Sequence, residues 1–299
     1  MQFRRLLILG LTSALVAFFA VIYFSSRSPA SGGHTYRLQG QVQSITPDRQ
    51  EATVRHGEIK GLMPAMTMPY KIKKKAELDA VRPGDMIDAT LTIVENDAFL
   101  TGVTKVGEAP LEQAPPEPAT VVTGAGPELL RPGQVVPDAS FVDQDGKKRA
   151  FNSFRGTAVV LTFIYTRCPL PTFCPMMDRH FVTIQERMHD DPALKKVHLV
   201  TMTFDPAYDT PAVMKKHARE LNADLSRWTF LTGDQKAIET FGGRFGMLVT
   251  HASNDPRDIT HNLRTAVIGP DGKLVKIYTG NEWTPDEIIA DLKPTANAD

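Results

Sequence analysis

Three patterns of apolar and polar positions succeed one another along the chain, and each predicts a different kind of element. Leu6 to Phe24 is an unbroken apolar run without a charge, preceded by Arg4 and Arg5. Such a run makes a helix of about 28 Å, close to the hydrocarbon thickness of a bilayer. Basic residues on its leading side keep that side in the cytoplasm. Residues 1–33 are therefore expected to be a single-pass inner-membrane anchor, with the soluble domains in the periplasm or an equivalent extracytoplasmic space. A cleaved secretory signal would deliver them to the same side.

Residues 34–107 switch to short strand-like runs at Tyr36–Ile45, Glu51–His56, Ala65–Tyr70, Asp85–Val94 and Ala98–Val106. Pro83-Gly84 and Asn96-Asp97 punctuate them as turns. Five short strands in this length predict a small, closed or partly closed all-β barrel. Residues 108–127 are rich in Pro, Ala and Gly, with little to bury, and read as an extended linker.

Residues 128–299 alternate element types. Ala158–Tyr165 is a continuous apolar run, the pattern of a strand covered on both faces. Met177, Phe181, Ile184 and Met188 then recur at helical spacing. A strand at Val197–Phe204, helices near Pro211–Leu221 and Gln235–Phe241, a hairpin through Gly269-Pro-Asp-Gly272 and a last helix from about Thr284 follow. That order predicts a thioredoxin-like α/β domain. The fold class is thus multidomain: a transmembrane helix, an all-β barrel and a thioredoxin-like α/β domain.

Charge excludes one class of partner. Lys and Arg number 34 against 34 Asp and Glu, so no basic field attracts nucleic acid. Sulfur is more informative. The only two cysteines lie in one heptapeptide, Cys168-Pro-Leu-Pro-Thr-Phe-Cys174, directly after the buried strand. A regular helix would hold their Cα atoms about 9 Å apart and an extended chain about 20 Å apart. A disulfide or a shared metal needs roughly 4.4–7 Å, so the loop must curl, and Pro169 and Pro171 deny it a regular helix. Pro175 suits the first turn of the next helix, which makes Cys174 its expected N-cap and the more readily ionised thiol. A thiolate pair at such a turn serves as a redox couple, a soft-metal site or a structural disulfide.

At this point the chain resembles the Sco/SenC family of thioredoxin-like copper proteins. The resemblance rests on Phe163-Ile-Tyr-Thr-Arg-Cys-Pro with Cys174-Pro, on Phe204-Asp-Pro-Ala-Tyr-Asp-Thr-Pro211, on Trp228-Thr-Phe-Leu-Thr-Gly233, and on Thr260-His261 through Gly272. It implies copper, Cu(I) or Cu(II), held by Cys168, Cys174 and His261, with Asp205 steadying the site from behind its ligands. Asp205 as a plain turn former is the competing reading. The family's usual loop has three residues between the cysteines, and this one has five.

A second sulfur cluster lies in the barrel block, His56-Gly-Glu-Ile-Lys-Gly-Leu-Met63-Pro-Ala-Met66-Thr-Met68-Pro. Met66 and Met68, two apart on a strand, share a face. Thioethers favour Cu(I), and a neutral imidazole completes such a site; core filling is the bland alternative. The strip resembles the CusF-type periplasmic copper-binding domain, an OB-like barrel, which implies a second copper site at His56, Met66 and Met68. Met63 stands where that pattern has a tryptophan, as a further ligand or a packing residue.

The resemblances imply a copper metallochaperone assisting assembly of a respiratory, cytochrome c oxidase copper site, with the apo copper-site subunit as partner. Two alternatives compete: a thiol-disulfide oxidoreductase using Cys168 and Cys174 to keep that site's cysteines reduced, and a periplasmic copper buffer serving copper tolerance. A peroxidase ranks last, since Thr166 is separated from Cys168 by Arg167 alone. Of the remaining histidines, His180, His189 and His217 are expected to face solvent and His198 to be half-buried.

Overall fold

The computed structural model describes residues 33–111, 128–251 and 259–296. The anchor expected over residues 1–33 and the linker at 108–127 fall wholly or mostly outside them. Among the described residues no helix is long and apolar enough to cross a membrane.

The first unit has five strands, β1 (His34–Thr46), β2 (Glu51–His56), β3 (Met66–Ile72), β4 (Asp85–Val94) and β5 (Asp97–Glu108), closed in the order β1-β2-β3-β5-β4. All pairings are antiparallel except β3 with β5. A short helix, α1 (Lys75–Asp79), sits between β3 and β4. Alternation sorts the side chains. Ala52, Val54 and His56 of β2 and Tyr70 and Ile72 of β3 are buried, while Arg55, Pro69 and Lys71 are exposed. By the same period of two, Met66 and Met68 belong to the inward face, at the barrel's end. Gly40 of β1 pairs with His56. A Cβ there would stand 2.5 Å from the Arg55 carbonyl oxygen and 2.9 Å from His56 Cα, so only glycine lets β1 approach β2 this closely.

The second unit is built on a seven-stranded sheet: β6 (Ser140–Asp143), β7 (Lys148–Ala150), β8 (Ala158–Ile164), β9 (Val197–Thr203), β10 (Trp228–Thr232), then β13 (Arg264–Ile268) and β14 (Leu274–Thr279). Between β10 and β13 the chain makes a separate two-stranded ribbon, β11 (Val249–His251) and β12 (Ile259–His261). The large sheet runs β14-β13-β8-β9-β10-β6-β7, with β8, β9 and β10 parallel. All seven residues of β8 are buried, as its continuous apolar pattern required. Helices α2 (Cys174–Asp190), α3 (Pro211–Glu220), α4 (Gln235–Gly243) and α5 (Pro285–Ala296) pack on the sheet. The α2 stripe of Met177, Phe181, Ile184 and Met188 lies in the core. This is the thioredoxin-like arrangement read from the sequence. The β6–β7 hairpin, the β11–β12 ribbon and α1 were not foreseen.

The two units have separate hydrophobic cores joined at one place. Leu170, from the cysteine loop, is 2% exposed and belongs to the barrel's core rather than to that of its own unit. Cys168 and Phe173 pack against both cores. An ion pair of 3.1 Å between Arg49 and Glu282 also links the units.

Candidate metal centre

The cysteine loop leaves the carboxyl end of β8 and is tied down from behind. Asp209, fully buried, accepts hydrogen bonds from the Thr166 amide at 3.1 Å, the Thr203 hydroxyl at 2.6 Å and the Thr166 hydroxyl. Asp205 accepts from Arg167 Nε at 2.8 Å, and the same guanidinium lies over the Tyr208 ring. Arg179 and Asn281 donate to the carbonyls of Pro171 and Thr172, at 2.8 and 2.7 Å. Both residues flanking the first cysteine's approach are therefore held by carboxylates that followed from the Phe204–Pro211 motif.

Despite five intervening residues, the two thiols are close enough for each to shift the other's acidity; the Cys168 thiol itself donates to the Leu170 carbonyl oxygen at 3.9 Å. Their environments differ in the opposite sense to that expected. Cys174 is not the N-cap; α2 starts with it and Phe173 caps the helix. At 1% exposure, burial pushes the Cys174 thiol well up, and that outweighs the helix terminus. Interaction with the Cys174 side chain, together with backbone groups and Tyr165, pulls Cys168 down. Cys168 is the more acidic thiol.

His261 ends β12. Its Nδ1 lies 3.1 Å from the Asn262 carbonyl oxygen, and its ring packs 4.4 Å from Phe204 and 5.4 Å from Tyr165, centroid to centroid. Burial pushes its pKa down to about 4, so the imidazole is neutral and able to ligate. Among the described residues, however, no three His, Cys, Asp or Glu side chains converge closely enough to hold a metal ion. Cys168, Cys174 and His261 form no closed three-ligand set.

In the barrel, His56 is directly opposite Met66 across the β2–β3 ladder, with Val54 opposite Met68. His56 is 2% exposed, its Nδ1 is 2.6 Å from the Gly57 carbonyl oxygen, and its Nε2 is buried without a hydrogen-bond partner. Burial lowers its pKa. A buried, neutral, unpartnered nitrogen beside two thioethers suits a soft metal cargo and is costly otherwise. Met63 is buried in the barrel core and accepts the Tyr70 hydroxyl at 3.7 Å. Tyr70 also meets His56 edge-on at 5.7 Å.

One small cavity joins the two clusters. Its walls include Met66 and Met68 from β3, Cys168 and Pro169 from the loop, and Tyr165 and His261. Its volume of about 30 Å³ holds a single water-sized sphere. Cys174 is not part of its wall.

Comparison with known proteins follows this division. Residues 128–297 match the SCO1/SenC family model, more than half the chain. The chain belongs to the SCO1/SenC family. Residues 35–105 match the model described as copper binding periplasmic protein CusF, in line with the copper expected from both motifs. A SCO1 protein homolog of Bacillus subtilis (strain 168) is 33% identical over 156 residues, covering 52% of this chain and 79% of that protein. A mitochondrial SCO2 homolog of Danio rerio is 27% identical over 160 residues, but the match spans only 54% of that protein. The crystal structure of a SCO1/SenC family lipoprotein from Bacillus anthracis str. Ames superposes with a TM-score of 0.50 at 28% identity, covering 56% of this chain and 99% of that one.

Several residues of the SCO1/SenC unit escaped the sequence reading. Tyr165 lines the cavity, and burial, with Cys168 beside it, raises its phenol. Asp209 lies in the Phe204–Pro211 motif, of which only Asp205 was expected near the site. His217 does not face solvent: its Nε2 is 3.1 Å from Asp178, and that pairing raises its pKa against the opposing effect of burial. Nor does His180, which stacks edge-on against Trp283 at 4.6 Å. Both lie on helices whose apolar stripe is joined by partners distant in sequence. His189 is exposed and His198 half-buried, as expected.

Proposed function

We propose that this protein is an extracytoplasmic copper metallochaperone that assists assembly of the copper site of a respiratory oxidase. The observation that carries this reading is the cavity shared by an acidic, half-buried Cys168 and a neutral His261, sized for one ion and walled by soft donors. Copper is the cargo, and Cys168, Cys174 and His261 are its holders in the SCO1/SenC unit. His56, Met66 and Met68 hold it in the barrel. Cys174, buried behind Cys168, completes the set once the loop shifts enough to turn its sulfur outward. Asp205 and Asp209 keep Arg167 and Thr166 in place, so the loop keeps its curl while a ligand is exchanged. The expected result is copper binding by the full chain that loses one equivalent in Cys168→Ser or His261→Ala. Unchanged stoichiometry in both variants would overturn the reading.

One observation favours a second reading. The split acidity of the pair suits a thiol-disulfide oxidoreductase, with Cys168 attacking a target disulfide and Cys174 resolving the mixed disulfide. Two thiols would then supply two electrons and two protons and end as a Cys168–Cys174 disulfide. Under that reading His261 is dispensable, so a His261→Ala strain with full oxidase assembly would favour it. The barrel's own donors also support a copper-buffering role for residues 34–107.

The apolar run Leu6–Phe24 supports a single-pass anchor that would hold this activity at a membrane surface. The full chain is expected to stay with the membrane fraction after alkaline carbonate extraction. Release into the supernatant would contradict the anchor.

A further inference from the structure

The barrel's methionines and the cysteine loop do not merely coexist on one chain. Met66 and Met68 share the inward barrel face with His56, and they also wall the cavity that contains Cys168 and His261. The two thioethers therefore stand between the barrel's imidazole and the loop's thiol. The loop itself makes this contact. Pro169 lines the cavity, and Leu170 between the two prolines enters the barrel core. Leu170 lies in the five-residue stretch between the cysteines, so the cysteine loop itself docks on the barrel.

From this geometry we infer a mixed-ligand Cu(I) position between the units, formed by the Cys168 thiolate, the Met66 and Met68 thioethers and His261, with Cys174 left out. This rests on the copper reading proposed above and deepens it. Three features select Cu(I). The donors are mostly soft sulfur, the cavity is sized for one ion, and neither thioether needs to lose a proton. The position works as a relay. Cu(I) held by His56, Met66 and Met68 passes to Cys168 by ligand exchange at the shared thioethers. The ion stays Cu(I) throughout; the Cys168 thiol loses one proton to solvent as its bond to the metal forms. Cys174 replaces the thioethers when the barrel moves away, its thiol releasing a second proton to solvent as its bond to Cu(I) forms, which completes delivery to the three-ligand set.

The test is an anaerobic Cu(I) titration of the full chain in mild detergent, with methionine methyls labelled with carbon-13. Two signals are followed together: the Met66 and Met68 methyl resonances and the ultraviolet thiolate-to-copper charge-transfer band. In His56→Ala, which disables the barrel's own site, both signals are expected to change with the same equivalent. The double variant Met66→Leu, Met68→Leu, which preserves volume and so the fold, is expected to weaken Cu(I) binding at the thiolate by about tenfold or more. Movement of the thiolate band alone in His56→Ala, with unchanged thiolate affinity in the double leucine variant, overturns the shared position while leaving the copper reading intact. Absence of any thiolate band in the unaltered chain removes the copper reading itself, and the relay with it.

Discussion

At the scale of single residues, burial decides chemistry more often than sequence position does. Cys174 has the helix N-terminus in its favour, worth about 0.3–1 kcal/mol for a charge at an exposed end. Its 1% exposure opposes ionisation more strongly, and burial wins. His198 shows the same rule outside the metal centre, where it can be measured cleanly. Its Nε2 is 2.8 Å from the Thr229 hydroxyl oxygen, its ring leans on Phe154, and Arg149 and Arg227 are close enough to disfavour a second positive charge. Burial first, and those guanidiniums next, push its pKa down to about 4. Because the folded value lies below the unfolded one, its contribution to stability is full above the unfolded pKa of about 6.5 and is lost as pH falls from there to about 4. Urea denaturation near pH 7.5 and near pH 4.5 should show His198 accounting for about 2–3 kcal/mol of the acid-side loss. His198→Gln, neutral at both, should lack that share. An equal loss in both proteins would show that His198 does not carry it.

At the scale of elements, legibility tracks how local the determining contacts are. β8 was legible because all seven residues face apolar neighbours. The buried stripe of α2 was legible because Met177, Phe181, Ile184 and Met188 recur at helical spacing. Four of the five barrel strands emerged close to their observed bounds, and β3 was placed to start one residue early and end two residues short, because Met66 opens the ladder with His56 and Ile72 closes onto β5. What could not be read depends on partners far away in the chain. The β11–β12 ribbon consists of two three-residue strands, too short for any period to register. His217 looked exposed on a charged helix because Asp178, its partner, lies on α2. The candidate ligands were legible by resemblance, since nothing about a lone histidine distinguishes His261 from His251. That Cys174 sits outside the cavity wall was not legible: it depends on which sulfur the folded loop turns toward β3.

At the scale of the whole molecule, the organising contact is a leucine between two prolines. Each unit has its own hydrophobic core, and among the described residues Leu170 is the one buried residue of the SCO1/SenC unit that joins the barrel's core. Cys174 belongs to a single core, while Cys168 packs against both. The barrel therefore covers Cys168, but α2 and the sheet cover Cys174. An aspartate at position 170 would be buried as an unpaired charge in the docked state and solvated in an undocked one, a difference of several kcal/mol in favour of undocking. Leu170→Asp is expected to keep both folded units, raise the radius of gyration measured by small-angle X-ray scattering, and speed alkylation of Cys168 by about tenfold or more while Cys174 stays protected. Leu170→Ala, which only removes packing, should move the same two readouts less far. Unchanged scattering and unchanged Cys168 reactivity in the aspartate variant would mean that the loop does not hold the units together; equal acceleration at both cysteines would mean that the cover lost was the sheet's own.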